Sequence, residues 1–193
     1  YNGSATVATS PIPKITTGHN ENSNPYTQNI EKAKELLAEA GYTDGFNIVL
    51  NVNEDNQRVD TAVVIQDNLK AIGINVEIKT YQWASYVAFV ENPAQEKGMF
   101  LMAWNIANDD PDELLYPLYH SSQIDAHTNV VFYKNEEFDN LISKARETTD
   151  KEKRIDLYKK AQDIIQEELP HYAILYPMQN FAYKKNIKGI EVN

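Results

Sequence analysis

Between positions 46 and 104 the spacing of apolar residues changes period repeatedly, and few folds accept that pattern. Phe46, Ile48, Leu50 and Val52 alternate with polar or small residues, as a strand with one face in a core does. Over residues 58–72 the interval becomes three and four, with Val59, Ala62, Val63, Gln66, Leu69 and Ile72 on one helical face and Gly73 as the stop. Alternation returns over 74–80 through Ile74, Val76 and Ile78. A further helical stretch covers 83–90, and the apolar run 99–104 reads as a central strand buried on both faces. Strands alternating with helices of this length require crossover connections, which are right-handed and set the strands parallel. The expected fold class is α/β, a mainly parallel central sheet with helices on both faces.

The flanking segments extend this plan. Asn29 is placed to cap a helix over 30–40 that ends at Gly41. After the third strand the pattern predicts helices over 111–119, 136–147 and 151–168, the last with Ile155, Tyr158, Ala161, Gln162, Ile164 and Ile165 on its inner side and Pro170 beyond its end. Two β segments, 172–176 and 180–184, are expected to finish the unit. Residues 1–28 are rich in Ser, Thr, Asn, Gly and Pro, with Ser10-Pro11-Ile12-Pro13 forcing extended backbone. They read as an irregular lead-in, with order beginning near Asn29.

Composition removes several function classes. At 193 residues, 42% of them hydrophobic and 24% charged, the chain has the balance of one folded domain with a sizeable core. A net charge of −10 argues against nucleic acid as a partner, because phosphate neutralisation needs clustered Lys and Arg. With no cysteine there is no disulfide, thiolate nucleophile or zinc ribbon. Apolar runs such as 100–104 and 172–176 fall far short of the roughly 20 residues that span a bilayer. The chain opens at Tyr1 without Met, a basic region or an apolar leader, so any export signal lies outside it. His19, His120, His127 and His171 are too scattered for a zinc spacing, and no nucleophile elbow, phosphate loop, dinucleotide fingerprint or HExxH is present. No enzyme and no cofactor are expected.

The stretch that can carry function is Trp104-Asn105-Ile106-Ala107-Asn108-Asp109-Asp110-Pro111-Asp112-Glu113, directly after the apolar run. In open α/β sheets ligands bind beyond the carboxyl ends of strands. Helix capping accounts for part of its charge: Asp110 as N-cap, Pro111 at the first helical position, Asp112 and Glu113 in the first turn against the dipole. Asp109 is not absorbed in this way and is suited to accept from an ammonium or a ligand hydroxyl. Trp104 reads either as core or as an aromatic wall facing ligand. Trp83 and Tyr86, spaced with Val87 and Val90, read as packing. Two alternatives use the same acids. One is a hydrolase with Asp109 and Asp112 as paired carboxylates, and the other is a calcium-binding module through Asn108, Asp109, Asp110 and Asp112, for which the EF-hand glycine and distal glutamate are missing.

Several phrases in order carry a family resemblance: Asn29-Ile30-Glu31-Lys32-Ala33-Lys34-Glu35-Leu36-Leu37-Ala38-Glu39-Ala40-Gly41-Tyr42, Gln66-Asp67-Asn68-Leu69-Lys70-Ala71-Ile72-Gly73-Ile74, Trp104 through Asp110-Pro111-Asp112, Tyr133-Lys134-Asn135 with Phe138-Asp139 and Leu141-Ile142, Arg154-Ile155-Asp156-Leu157-Tyr158, and Glu168-Leu169-Pro170. Together they resemble the C-terminal lobe of the bacterial family 5 extracellular solute-binding proteins, the dipeptide, oligopeptide and nickel receptors of ABC importers. The resemblance implies a fragment of a larger two-lobed protein, with 1–28 a lead-in from the other lobe and 29–193 the C-terminal ligand-binding lobe. It implies a substrate-binding component without catalysis, a peptide or other small molecule as ligand, an ABC permease in the membrane as partner, and a monomer. It also implies a periplasmic location or lipid anchoring on the extracellular face of the cell membrane. Ligand contacts are then expected from Trp104, Asn105, Ala107, Asn108 and Asp109, the tryptophan lining the cleft. In the dipeptide receptors an aspartate three residues after this tryptophan holds the ligand's α-amino group; Ala107 stands there in this chain, so Asp109 or the other lobe would have to substitute. Nickel receptors offer a histidine from the region after the Asp-Pro turn, which makes His120 a weak metal candidate.

Overall fold

The computed structural model describes residues 3–21, 23, 26–96, 98–178, 182–184 and 186–189. Its main sheet has three strands in the order β3-β2-β4, with β2 (Phe46–Asn53) between β3 (Ile74–Tyr81) and β4 (Met99–Phe100) and both pairings parallel. Registers run from Phe46 opposite Ile74 to Asn53 opposite Tyr81, and from Leu50 opposite Met99 to Asn51 opposite Phe100. Each face of the sheet carries helix. On one face Leu50, Val52, Ile74 and Val76 bury against Ala62, Val59, Ile65 and Leu69 of α2 (Asn56–Lys70), with Leu37 of α1 (Ile30–Glu39) beside them. On the other face α3 (Trp83–Glu91) lays down Tyr86, whose hydroxyl donates to the Leu101 carbonyl at 2.5 Å and sits 3.3 Å from that of Asn51. Where β2 and β3 begin, backbone meets backbone: Gly45 has φ +72°, and a Cβ there would stand 1.9 Å from the Gly73 carbonyl oxygen. Only glycine fits that position.

Three expectations are corrected. The run 99–104 is not a central strand: β2 holds the centre, and β4 ends at Phe100. One further ladder bond, Leu101 N to Asn51 O at 3.1 Å, follows, and then Met102, Ala103 and Trp104 leave the sheet exposed. A parallel edge strand is held from one side only, and although β2 runs on to Asn53, the Leu101 carbonyl is taken by the Tyr86 hydroxyl instead of a ladder amide. Next, order does not begin near Asn29. β1 (Ala5–Val7) pairs antiparallel with β5 (Leu175–Pro177), and Ile12 is wholly buried. The cause is Gln162, fully buried on α6 (Lys151–Glu168): its Oε1 accepts from Ser10 Oγ (2.8 Å) and Asn20 N (3.2 Å), and its Nε2 donates to Gly18 O (2.8 Å) and Tyr158 O (3.1 Å). A buried amide that uses every donor and acceptor fixes the chain wrapped around it. Last, the β segment expected over 172–176 is the shorter and later β5; of the one expected over 180–184, Asn180 and Phe181 lie outside the described residues, and Ala182 to Lys184 show no regular structure.

A second core is helical. α4 (Asp112–Tyr119), a 3-10 turn (Ser121–Gln123), α5 (Glu136–Glu147) and α6 bury Leu115, Tyr119, Phe138, Ile142, Ala145, Tyr158, Ala161 and Ile165, together with Ile12 of the lead-in. Asn29, Asp55, Asn135 and Asp150 each accept from the amide three residues on, which fixes where α1, α2, α5 and α6 begin.

Candidate functional site

Past Leu101 the chain crosses from the sheet to α4 through the loop that sequence reasoning singled out, and α4 itself holds that loop. Pro117 lies inside α4 and has no N–H, so the carbonyl of Glu113, four residues earlier, lacks its helical donor. The indole Nε1 of Trp104 donates to that carbonyl at 2.7 Å. The Glu113 carboxylate then reaches back over the loop: Oε2 accepts from the amides of Ala107 (2.7 Å) and Asn108 (2.9 Å), and Oε1 accepts from the Asn108 side-chain amide. The Asn108 backbone amide, with those of Ala107 and the Asn108 side chain, outweighs desolvation and the nearby Asp110 charge, and holds the Glu113 carboxyl below its ordinary range.

Asp109 is tied to a different element. Its two oxygens accept from the hydroxyl and the backbone amide of Thr17, in the lead-in, and these bonds hold its carboxyl below the usual aspartate value. Asp110 accepts from Asp112 N at 3.0 Å and from Arg154 Nη1 at 3.1 Å, so it serves the start of α4 as expected, although the helix begins at Asp112 and Pro111 occupies the cap. Asp112 accepts from the Tyr158 hydroxyl at 3.1 Å and faces Arg146 at 3.7 Å, the Arg146 guanidinium lying 3.6 Å from the Tyr116 ring centroid. The result is a loop with a fixed base and an open outer surface. Trp104 is 42% exposed, Asn105, Ala107, Asn108 and Asp109 are exposed, and Ile106 turns in to pack on the helical core.

The acids invoked for a hydrolase or a calcium loop thus sit in separate networks, Asp109 with Thr17 and Asp112 with Tyr158 and Arg146. His120 shares a 2.9 Å hydrogen bond with Ser122 Oγ, accepts from Ser122 N at 3.2 Å and packs on the Tyr116 ring. Among the described residues no three His, Asp or Glu side chains are grouped to hold a metal ion.

The same edge of the sheet holds residues that periodicity misassigned or passed over. Tyr86 is buried as expected, but Trp83 is 51% exposed. It is the first residue of α3, and its ring lies 6.2 Å from that of Tyr86. Arg58, in the first turn of α2, stands over its ring at 5.7 Å from the centroid and donates from Nη1 to Asn53 Oδ1 at 2.5 Å. The signal available in the sequence was positional: Asn53, Trp83 and Trp104 each lie at or just after the carboxyl end of a strand segment.

Known proteins similar to this chain share one family. The family model described as bacterial extracellular solute-binding proteins, family 5 Middle, matches residues 1–126. Heme-binding protein A of Haemophilus influenzae is 33% identical over 195 residues, which cover 98% of this chain and 35% of that protein. The dipeptide-binding protein of Escherichia coli is 31% identical over 200 residues, covering 100% of this chain and 37% of that one. Among solved structures, an ABC transporter-associated periplasmic binding protein from Helicobacter pylori in complex with the peptide STSA superposes with a TM-score of 0.86 at 36% identity, over 92% of this chain and 34% of that one. The chain spans about a third of the length of the curated relatives it matches.

Proposed function

Because this chain belongs to the bacterial extracellular solute-binding proteins of family 5, we propose that it is the C-terminal lobe of the substrate-binding component of an ABC importer, which captures a peptide-like or other small solute. In this reading residues 1–28 are the lead-in from the other lobe and pack onto this one, 29–193 form one wall of the site, and the second wall lies in the part of the protein outside this chain. Binding is by closure: contacts made by both lobes favour the closed state, which the membrane permease then recognises. The receptor works as a monomer and without catalysis, in the periplasm or lipid-anchored on the outer face of the membrane. The observation that carries the proposal is the loop at the carboxyl edge of the parallel sheet, clamped by Glu113 and Thr17 so that the Trp104 ring stays half-exposed. A rigid aromatic face on a fixed base is what a cleft wall requires.

The test is to purify the full-length receptor under native conditions and identify the solute it carries by mass spectrometry. Trp104→Ala should then weaken binding of that solute by roughly 1 to 3 kcal/mol in calorimetry, with circular dichroism unchanged. Unchanged affinity would move the site away from this loop.

A further inference from the structure

We infer that Thr17 is a positioning residue for solute binding, acting through Asp109, which serves as a strut between the lead-in and the Trp104 loop and not as a contact of the solute. The inference rests on the receptor reading and goes beyond it. Asp109 is exposed, on a loop past the carboxyl end of a strand, where a carboxylate is ordinarily left to water or to a ligand. Here both of its oxygens are taken, and by one residue: the Thr17 amide donates to Oδ1 and the Thr17 hydroxyl to Oδ2. Two parallel bonds to one carboxylate fix its orientation as well as its distance. The other acids of the stretch are engaged internally too, Asp110 by Asp112 N and Arg154, Asp112 by the Tyr158 hydroxyl, and Glu113 by the Ala107 and Asn108 amides. Only Asp109 takes its donors from the lead-in.

Thr17 is itself held on both sides. Thr16 before it is buried, and Gly18 after it lies on the Pro111 ring, where an added Cβ would stand 3.2 Å from Pro111 Cγ. The Gly18 carbonyl accepts from buried Gln162 at 2.8 Å. Turn bonds from Thr16 N to Pro13 O (3.0 Å) and from His19 N to Thr16 O (3.1 Å) close the backbone around Thr17. Upstream, the Tyr176 hydroxyl accepts from Ser10 N at 3.2 Å and donates to Ile12 O at 3.1 Å, and Ala8 N donates to Ile174 O at 3.1 Å, where β1 pairs with β5. A hydrogen-bonded track thus runs from the β1–β5 ribbon along the lead-in, and the Thr17 to Asp109 bonds are its last link. Glu113 holds Ala107 and Asn108 from the α4 side, so the loop is gripped between a helix of its own lobe and the segment that joins the lobes. The position of the solute-facing loop therefore depends on that segment.

The experiment is a double-mutant cycle in the full-length receptor. Thr17→Val keeps the β-branched shape and loses the hydroxyl donor, while Asp109→Asn replaces one accepting oxygen by a donor. Two quantities are read: retention of a random tetrapeptide pool and of the solute that co-purifies, by equilibrium dialysis and mass spectrometry, and hydrogen exchange of the Ile106 to Asp109 amides in the solute-free receptor. Each single variant should weaken retention about tenfold and speed loop exchange to a similar extent, and the double variant should be no worse than either. Thr17→Ser should restore both readouts, with circular dichroism and melting temperature unchanged throughout. Retention that falls in Asp109→Asn but holds in Thr17→Val makes Asp109 a direct contact and overturns the inference. Additive losses in the double variant overturn it as well, as does wild-type loop exchange in Thr17→Val, and each of these leaves the receptor reading standing. A wild-type receptor that retains no tetrapeptide and carries no co-purified solute overturns the receptor reading and this inference with it.

Discussion

Glu113 shows how one side chain acquires two tasks from its neighbours in sequence. Its carbonyl is freed by Pro117 and its carboxylate is within reach of two loop amides, so the same residue orients the Trp104 indole and pins Ala107 and Asn108. Glu113→Ala removes the carboxylate, so the bonds from Ala107 N, Asn108 N and the Asn108 side chain are all lost. The amides of Ala107 and Asn108 should then exchange hydrogen about tenfold faster, the equivalent of roughly 1.4 kcal/mol, while the global melting temperature moves little. Amide exchange followed by NMR checks this, and unchanged protection would mean the loop is held by something else. At this scale the sequence was legible only in part. The acids that follow Asp109 belong to the start of a helix, and that is local information. Asp109's partner Thr17 is 92 residues away, and nothing in the spacing of either residue announces the other.

Elements whose pairing is local were foreseeable, and those completed from a distance were not. Alternation located β2 and β3 because period-two burial is written within each strand, and α2 because its apolar face repeats within four turns. The end of β4 depends on β2, and β1 depends on β5 some 170 residues later, so neither could be read from its own segment. His171 is a joint between elements. It follows α6, and its ring meets Phe100 of β4 edge-on and Tyr119 of α4 at 5.1 Å. Burial pushes its pKa down from 6.5 to about 4. Between those values the unfolded chain binds a proton that the folded chain refuses, so stability is full above pH 6.5 and falls as pH is lowered to about 4. Urea unfolding across that window should show a loss of roughly 1–3 kcal/mol attributable to this residue. His171→Phe should flatten that part of the profile, and an unaltered slope would show that other groups set it.

For the whole molecule, three apolar clusters share one chain. The sheet with α1 and α2 buries one set of apolar residues, α4, α5 and α6 with Ile12 bury another, and Tyr86 and Val90 of α3 with Val130 form a smaller third. All three are closed within this chain, so the isolated chain should fold cooperatively and give a two-state denaturation curve. The ligand side is different, because Trp104, Asn105, Ala107, Asn108 and Asp109 of the loop and Trp83 are exposed. Calorimetry of the isolated chain should show little heat with di- to hexapeptides, since contacts made on closure are missing. Submicromolar binding by the isolated chain would mean that one lobe suffices.

Met178 N donates to Ser4 O at 2.9 Å, continuing the pairing of β1 with β5. Everything from position 5 to 177 is therefore a closed excursion whose two ends sit one hydrogen bond apart. A stretch of polypeptide with that geometry behaves as a cassette. It could be spliced into a surface turn of an unrelated host without pulling the host's flanking residues apart, because the closure entropy such an insertion normally costs is already met inside the cassette.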